Sequence, residues 1–138
     1  MADEHILKVE THIPVNFTCA TGVTIEKGAA CKMTDNMTAI LENGDANAVA
    51  GVVQSEKLAL DTTQNSVAIF RGGIFTAVAG AAGVTFGQAI TTDVATSSTN
   101  RLVDAAANDN NIWGICLETA ASGVRFLHEL RPTIINAT

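Results

Sequence analysis

The apolar residues of this chain come in runs of two to four, and Gly, Asn, Asp or Ser bounds nearly every run. That punctuation belongs to short strands joined by tight turns. It predicts strands at residues 6–9, 15–18, 30–33, 49–54, 66–70, 73–78, 89–91, 112–118 and 123–127. Residues 46–60 can be drawn on a helical wheel, yet Gly51 lies inside that stretch. Val49, Val52 and Val53 within it are β-branched and lose rotamer freedom in a helix, so it too reads as mostly strand. The expected fold class is all-β. At 138 residues the chain has the size of one ordinary domain, which buries roughly two thirds of its unfolded surface without a metal or disulfide staple.

Self-similarity narrows the architecture. "GVTIEKGAACKMTD" at 22–35 resembles "GVTFGQAITTD" at 83–93. Each copy then crosses a polar, Asn-rich stretch and reaches an apolar-Gly-apolar strand, "AVAGVV" at 48–53 and "NIWGIC" at 111–116. Gly22 to Gly51 spans 29 residues and Gly83 to Gly114 spans 31. A second strand follows in each copy, "SVAIF" at 66–70 and "GVRFL" at 123–127. Two such copies predict a compact β-sandwich or barrel built from two similar β units, 22–79 and 83–131. Both units fall within a single β domain, 21–138, preceded by an N-terminal arm or edge strand at 1–20. The glycine-dense run "RGGIFTAVAGAAGVTFG" at 71–87 then reads as a junction, in which Gly73 to Val78 ends the first unit and Gly83 opens the second.

Few residue patterns carry chemistry. A phosphate loop needs a lysine after its glycines or a helix after a parallel strand, and here no lysine follows while Thr85, Thr91 and Thr92 favour strand. His5, His12 and His128 are far apart in sequence and read as surface or strand-face histidines rather than metal ligands. Ser66 and Ser122 lack a nucleophile elbow. Asp104, Asp109, Glu118 and Glu129 fall in separate segments, and the Asn-rich turn at 108–111 lacks calcium-loop spacing. Cys19, Cys31 and Cys116 are odd in number and widely spaced, which predicts buried thiols rather than a disulfide framework or zinc site. Trp113, beside glycine in a strand, is expected as a core plug. No catalytic residue, cofactor or metal is expected.

Lys32 in "ACKM" at 30–33 is a separate case, because the stretch resembles the Met-Lys-Met hairpin of biotinyl and lipoyl carrier domains. There it would be the modified residue at an exposed tip. Against that, "AACKM" alternates like a strand and the turn falls later, at Asp35 and Asn36, which predicts a surface lysine on a strand.

Charge limits the partners. A formal net charge of −6 repels phosphate backbones and anionic headgroups, so neither nucleic acid nor a membrane surface is expected. No basic segment with an apolar h-region opens the chain and no run of about eighteen apolar residues occurs, so neither a signal peptide nor a spanning helix is expected.

From Ser66 onward the chain resembles the small bacteriophage capsid decoration, or cement, proteins. The resemblance is carried by an alternating strand into Gly73, Ile74 and Phe75, an Ala/Gly spacer, and the step from Val84 to Gln88. It continues through a polar stretch to Ile112–Glu118, with Ala120, Ala121 and Gly123 leading the last strand. It implies a β-rich, non-enzymatic head protein, trimeric in the family's manner, bound outside the shell to the major capsid protein lattice and strengthening it. Made in the host cytoplasm, such a protein would end on the virion surface. The candidate capsid-binding residues are His5, Ile6, Leu7, Val9, Ile13, Pro14, Val15 and Phe17, whose alternation with Pro14 marks an edge-type strand. Two readings of this arm stay open: it pairs with another chain, or it closes the protein's own sheet. The tail "RPTIINAT" is a lesser candidate of the same kind. The alternatives to a cement protein are a virion-surface carbohydrate- or receptor-binding β module and the lipoyl-like carrier.

Overall fold

A computed structural model of the chain describes residues 3–42, 48–93, 100–106 and 111–134. Among them are eleven strands and no helix: β1 (Ile6–Val9), β2 (Val15–Thr18), β3 (Ala30–Asp35), β4 (Thr38–Leu41), β5 (Val49–Val53), β6 (Ser66–Phe70), β7 (Gly73–Val78), β8 (Ala89–Thr92), β9 (Leu102–Asp104), β10 (Asn111–Cys116) and β11 (Arg125–Ile134). They form a closed barrel, β2-β4-β3-β5-β6, and a six-stranded sheet, β1-β7-β11-β10-β8-β9. The protein is all-β, as expected.

The two sheets share one strand order. Opened between β2 and β4, the barrel runs β4-β3-β5-β6-β2; the sheet, read from its far edge, runs β9-β8-β10-β11-β7 with β1 added. The hydrogen bonds repeat as well. Cys31 lies opposite Gly51, and Ile90 lies opposite Gly114. The amide of Gly28 donates to Val53 O, and that of Gly87 to Cys116 O. Both glycines adopt left-handed φ, 84° and 79°, which an L side chain rarely takes. Even the closure is shared, since Thr18 pairs in parallel with Thr38 and Ala79 with Leu102.

This register differs from the sequence alignment in two places. Ile25 bridges to Lys57 as Val84 bridges to Ala120, so Val84 stands where Ile25 stands, two residues on from Val23. A Gly-Val-Thr run suits either position, and the ladder decides between them. By strand order β7 matches β2, so Gly73–Val78 opens the second ladder rather than ending the first. The junction falls at Arg71 and Gly72, where Arg71 Nη1 donates to the carbonyls of Val49 and Ala50 at 3.0 Å each.

β5 is the common wall, and all five of its residues are buried. Ala50 and Val53 face the barrel interior with Phe17, Cys31 and Ile69, while Val49 and Val52 face the sheet core with Phe75, Trp113 and Phe126. Burial on both faces is why "VAGVV" reads as an unbroken apolar run instead of an alternating one. Trp113 is fully buried, as its expected role as a core plug requires, and burying such a side chain contributes about 3 kcal/mol. β4 and β9 were not expected from the sequence. Each is a short, half-buried strand with one fully buried apolar residue, Ala39 or Leu102, inside a polar stretch.

Candidate functional site

The N-terminal segment is built into both sheets. β1 pairs antiparallel with β7, Ile6 opposite Thr76 and Leu7 opposite Phe75, and β2 pairs antiparallel with β6, Val15 opposite Ile69. Of the two readings of the arm, the pairing present is with the chain's own sheets. Its candidate residues divide by face. His5 and Phe17 are buried, Leu7 and Pro14 are half-buried, and Ile6, Val9, Ile13 and Val15 are exposed, Ile13 by 85%. Ile6 and Val9 lie on β1, Ile13 in the connection that follows it, and Val15 on β2. β1 is an edge strand with β7 on one side only, and a groove of about 600 Å³ runs beside it, lined by Leu7, Glu10, Lys27, Val52, Phe70 and Phe75 among others. Of the described residues 131–134 of the tail, all continue β11; residues 135–138 lie outside the description.

Beneath β1 lies a polar cluster that the sequence did not announce. His5 and His128, 123 residues apart, meet with Nδ1 of the first 3.1 Å from Nε2 of the second. His5 Nε2 lies 3.0 Å from the carbonyl oxygen of Asn100. A carbonyl only accepts, so the His5 proton sits on Nε2 and its Nδ1 is an acceptor. His128 Nε2–H must then donate to it. Asn100 also accepts the Ala30 amide on its Oδ1 at 3.0 Å, tying the cluster to the barrel. The Trp113 ring lies 5.2 Å from that of His5, and Phe75 stacks on His128 at 6.0 Å.

Both imidazoles are hard to protonate. Burial lowers His5 to about 4, the Asn100 hydrogen bond opposing and the Arg125 charge reinforcing the shift. Burial and the neighbouring His5 hold His128 well below the usual histidine range. The expectation of separate surface or strand-face histidines is corrected for these two in that both are buried and in contact, His128 being on strand β11. What brings them together is the β1–β7–β11 order, which no local pattern in the sequence encodes. His12 remains exposed.

Other candidates resolve into structure. Lys32 is fully buried on β3, neither at a hairpin tip nor on the surface, which removes the attachment site that a carrier domain needs. Lys57 is also buried, its Nζ donating to the Thr21 and Val23 carbonyls at 2.8 and 2.7 Å. Asp104 Oδ1 accepts the Thr85 amide, Glu118 Oε1 accepts the Leu127 amide, and Glu129 pairs with Arg131. Asp109 and positions 108–110 of the Asn-rich turn lie outside the described residues. The three cysteines are buried free thiols. Among the described residues no group of three or more His, Cys, Asp or Glu side chains is placed to hold a metal ion.

No protein-family model and no curated protein sequence matches this chain. Among solved structures the fold is similar to that of the N base of head fiber gp8.5 in bacteriophage phi29, with a TM-score of 0.54 and 12% sequence identity. The alignment covers 90% of this chain and 99% of that one. At this identity the likeness is one of fold.

Proposed function

We propose that a fold shared over almost its whole length with a phage head-fiber base makes this chain a structural protein of a bacteriophage virion, bound to the outside of the head. That likeness is the observation that carries the reading, and the decoration-protein pattern from Ser66 to Leu130 agrees with it. The partner is the major capsid protein lattice, and the protein acts as a homotrimer. The action is mechanical: contacts to adjacent capsid subunits must break before the shell opens, and no reactive group, cofactor or metal takes part. Repetition of weak contacts over one lattice supplies avidity.

Ile6, Val9, Ile13 and Val15 are the surface offered to the capsid, because they are apolar and exposed and Ile6 and Val9 lie on an edge strand. His5 and Phe17, turned inward, hold that surface in place. A negative net charge of −6 suits a protein that ignores nucleic acid and membrane surfaces while it finds a protein lattice. A glycan-binding module has less support, since Phe86 is the one exposed aromatic side chain, the other four phenylalanines and Trp113 being buried.

Mixing the protein with undecorated heads of its own phage tests the reading. It should co-sediment with them and raise the temperature of genome release, and Ile13→Asp combined with Val15→Asp should weaken binding at least tenfold without unfolding the chain. Absence of binding overturns the proposal. A mass measurement in solution reading a monomer at micromolar concentration would remove the trimer.

A further inference from the structure

We propose that the His5–His128 pair is an acid-opened latch: in its neutral form it fixes the N-terminal strand to the sheet and the barrel, and protonation releases that strand while the barrel stays folded.

The geometry makes β1 the detachable strand. It is four residues long, lies at the sheet edge, has three exposed positions and one half-buried, and carries a register irregularity between Leu7 and Val9. Its attachments concentrate just before it. The His5 amide donates to Gly28 O at 2.8 Å, Arg101 Nε pairs with Asp3 at 2.7 Å, and Arg125 Nη1 donates to the Glu4 carbonyl at 3.0 Å. Among these anchors the His5 ring is the one that enters the core, where it meets Trp113 from β10 and His128 from β11.

The hydrogen-bond chain is built for neutral rings. It runs from His128 Nε2–H to His5 Nδ1, then from His5 Nε2–H to Asn100 O. A proton added to His5 Nδ1 sets two donors against each other at 3.1 Å. His128 can answer only by moving its own proton to Nδ1, an atom that is buried with no hydrogen-bond partner. The pair then holds a buried cation, and a second proton leaves no acceptor between the rings.

Among the described residues no carboxylate is a source of the shift on either ring. From β11 comes Arg125, a cation that opposes protonation of His5. From the loop before β9 comes Arg101, already paired with Asp3. Lys27 lies beside Gly28, and Glu4 and Glu10 line the groove outside β1, with no carboxylate among the influences on either ring. β7 and β10 contribute Phe75 and Trp113, which do not titrate. Opening lets each ring take its proton in water, so acid favours the open form. With His5 lowered from 6.5 to about 4, the opening equilibrium from this one ring rises roughly 100-fold between pH 7 and pH 4.

Amide hydrogen exchange on the isolated protein, corrected for intrinsic rates, tests the latch without reference to any capsid. Protection of the amides at residues 5–9 should fall roughly 100-fold from pH 7 to pH 4, while those of β3, β5 and β6, which open only with the whole chain, remain far better protected at pH 4. In the double variant His5→Gln, His128→Gln, whose glutamine side chain can still donate to Asn100 O, residues 5–9 should lose that pH dependence. If the double variant fails to fold, the wild-type histidine ring resonances serve instead, and their titration midpoint should coincide with the loss of protection in β1. The proposal is overturned if residues 5–9 stay protected to pH 4, if at pH 4 the barrel amides are no better protected than those of residues 5–9, or if the double variant keeps the fall.

Discussion

Replacing Gly114 with alanine probes the shared ladder of the two units at its tightest point. A Cβ there would lie 2.0 Å from Glu129 O and 3.0 Å from Arg131 N, where ordinary contact begins at 3.4 Å. Both obstacles are backbone of the partner strand, so no side chain can rotate aside and β10 and β11 must part. Overpacking of that kind costs about 1–3 kcal/mol, and one or two weakened ladder bonds add about 1 kcal/mol each. The expected loss is about 2–5 kcal/mol, a large part of the 5–15 kcal/mol by which a domain of ordinary stability is folded. Gly51 occupies the matching position, where a Cβ would lie 1.9 Å from Phe70 O and φ is +140°, so Gly51→Ala should cost at least as much. Two other glycines calibrate the scale. Gly87 has open space but φ +79°, so alanine there costs about 1–2 kcal/mol from strain alone. Gly22 has open space and no left-handed φ, so alanine there changes stability by less than about 0.5 kcal/mol. Urea denaturation followed by Trp113 fluorescence, with a constant m-value, ranks the four. If Gly114→Ala falls within about 1 kcal/mol of Gly22→Ala, the ladder geometry assigned to β10 and β11 is wrong.

Global stability should also depend on pH. Because both buried histidines are lowered, the unfolded chain binds protons that the folded chain refuses. Stability is therefore fully present above pH 6.5 and falls as the pH drops to about 4; His5 alone accounts for about 3 kcal/mol of that loss. Chemical denaturation at pH 7, 5 and 4 reads it, and a flat profile would contradict the buried neutral pair. Trp113→Ala should cost about 3–5 kcal/mol by emptying the sheet core, measured as a shift in denaturation midpoint. Burial pushes the Cys31 thiol up to about 12, so in native protein at pH 8 it should react with a thiol reagent orders of magnitude more slowly than in urea, and rapid native labelling would show an open barrel.

Strands were legible where local chemistry and burial agree. β2, β6 and β7 have the predicted bounds because β-branched and aromatic residues recur through them, starting after Pro14, Asn65 and Gly72, and β5 is legible because both its faces are buried. β4 and β9 were not, since their apolar runs, residues 39–41 and 102–103, are short, sit inside polar stretches, and gain strand character from neighbours already in place. The Gly51–Gly114 match reflects a real constraint, backbone close to backbone. The Gly22–Gly83 match does not, because Gly22 meets nothing. Side-chain burial was the least readable property. Lys32 and Lys57 are polar by type and fully buried by tertiary context, and the His5–His128 contact depends on β1 adding to the edge of a sheet whose other members come much later in the chain. The exposed apolar positions were readable from the alternation of the segment, whereas which of its residues point inward was fixed only by pairing with β7 and β6.

The virion assignment is tested most directly by cryo-electron microscopy of heads purified without this protein and then saturated with it. The account predicts extra density confined to the outer surface of the head, two-lobed as a barrel beside a sheet, with the Ile13 side of the molecule against the capsid. A difference map with no added density, or with density at the tail or inside the shell, would contradict it.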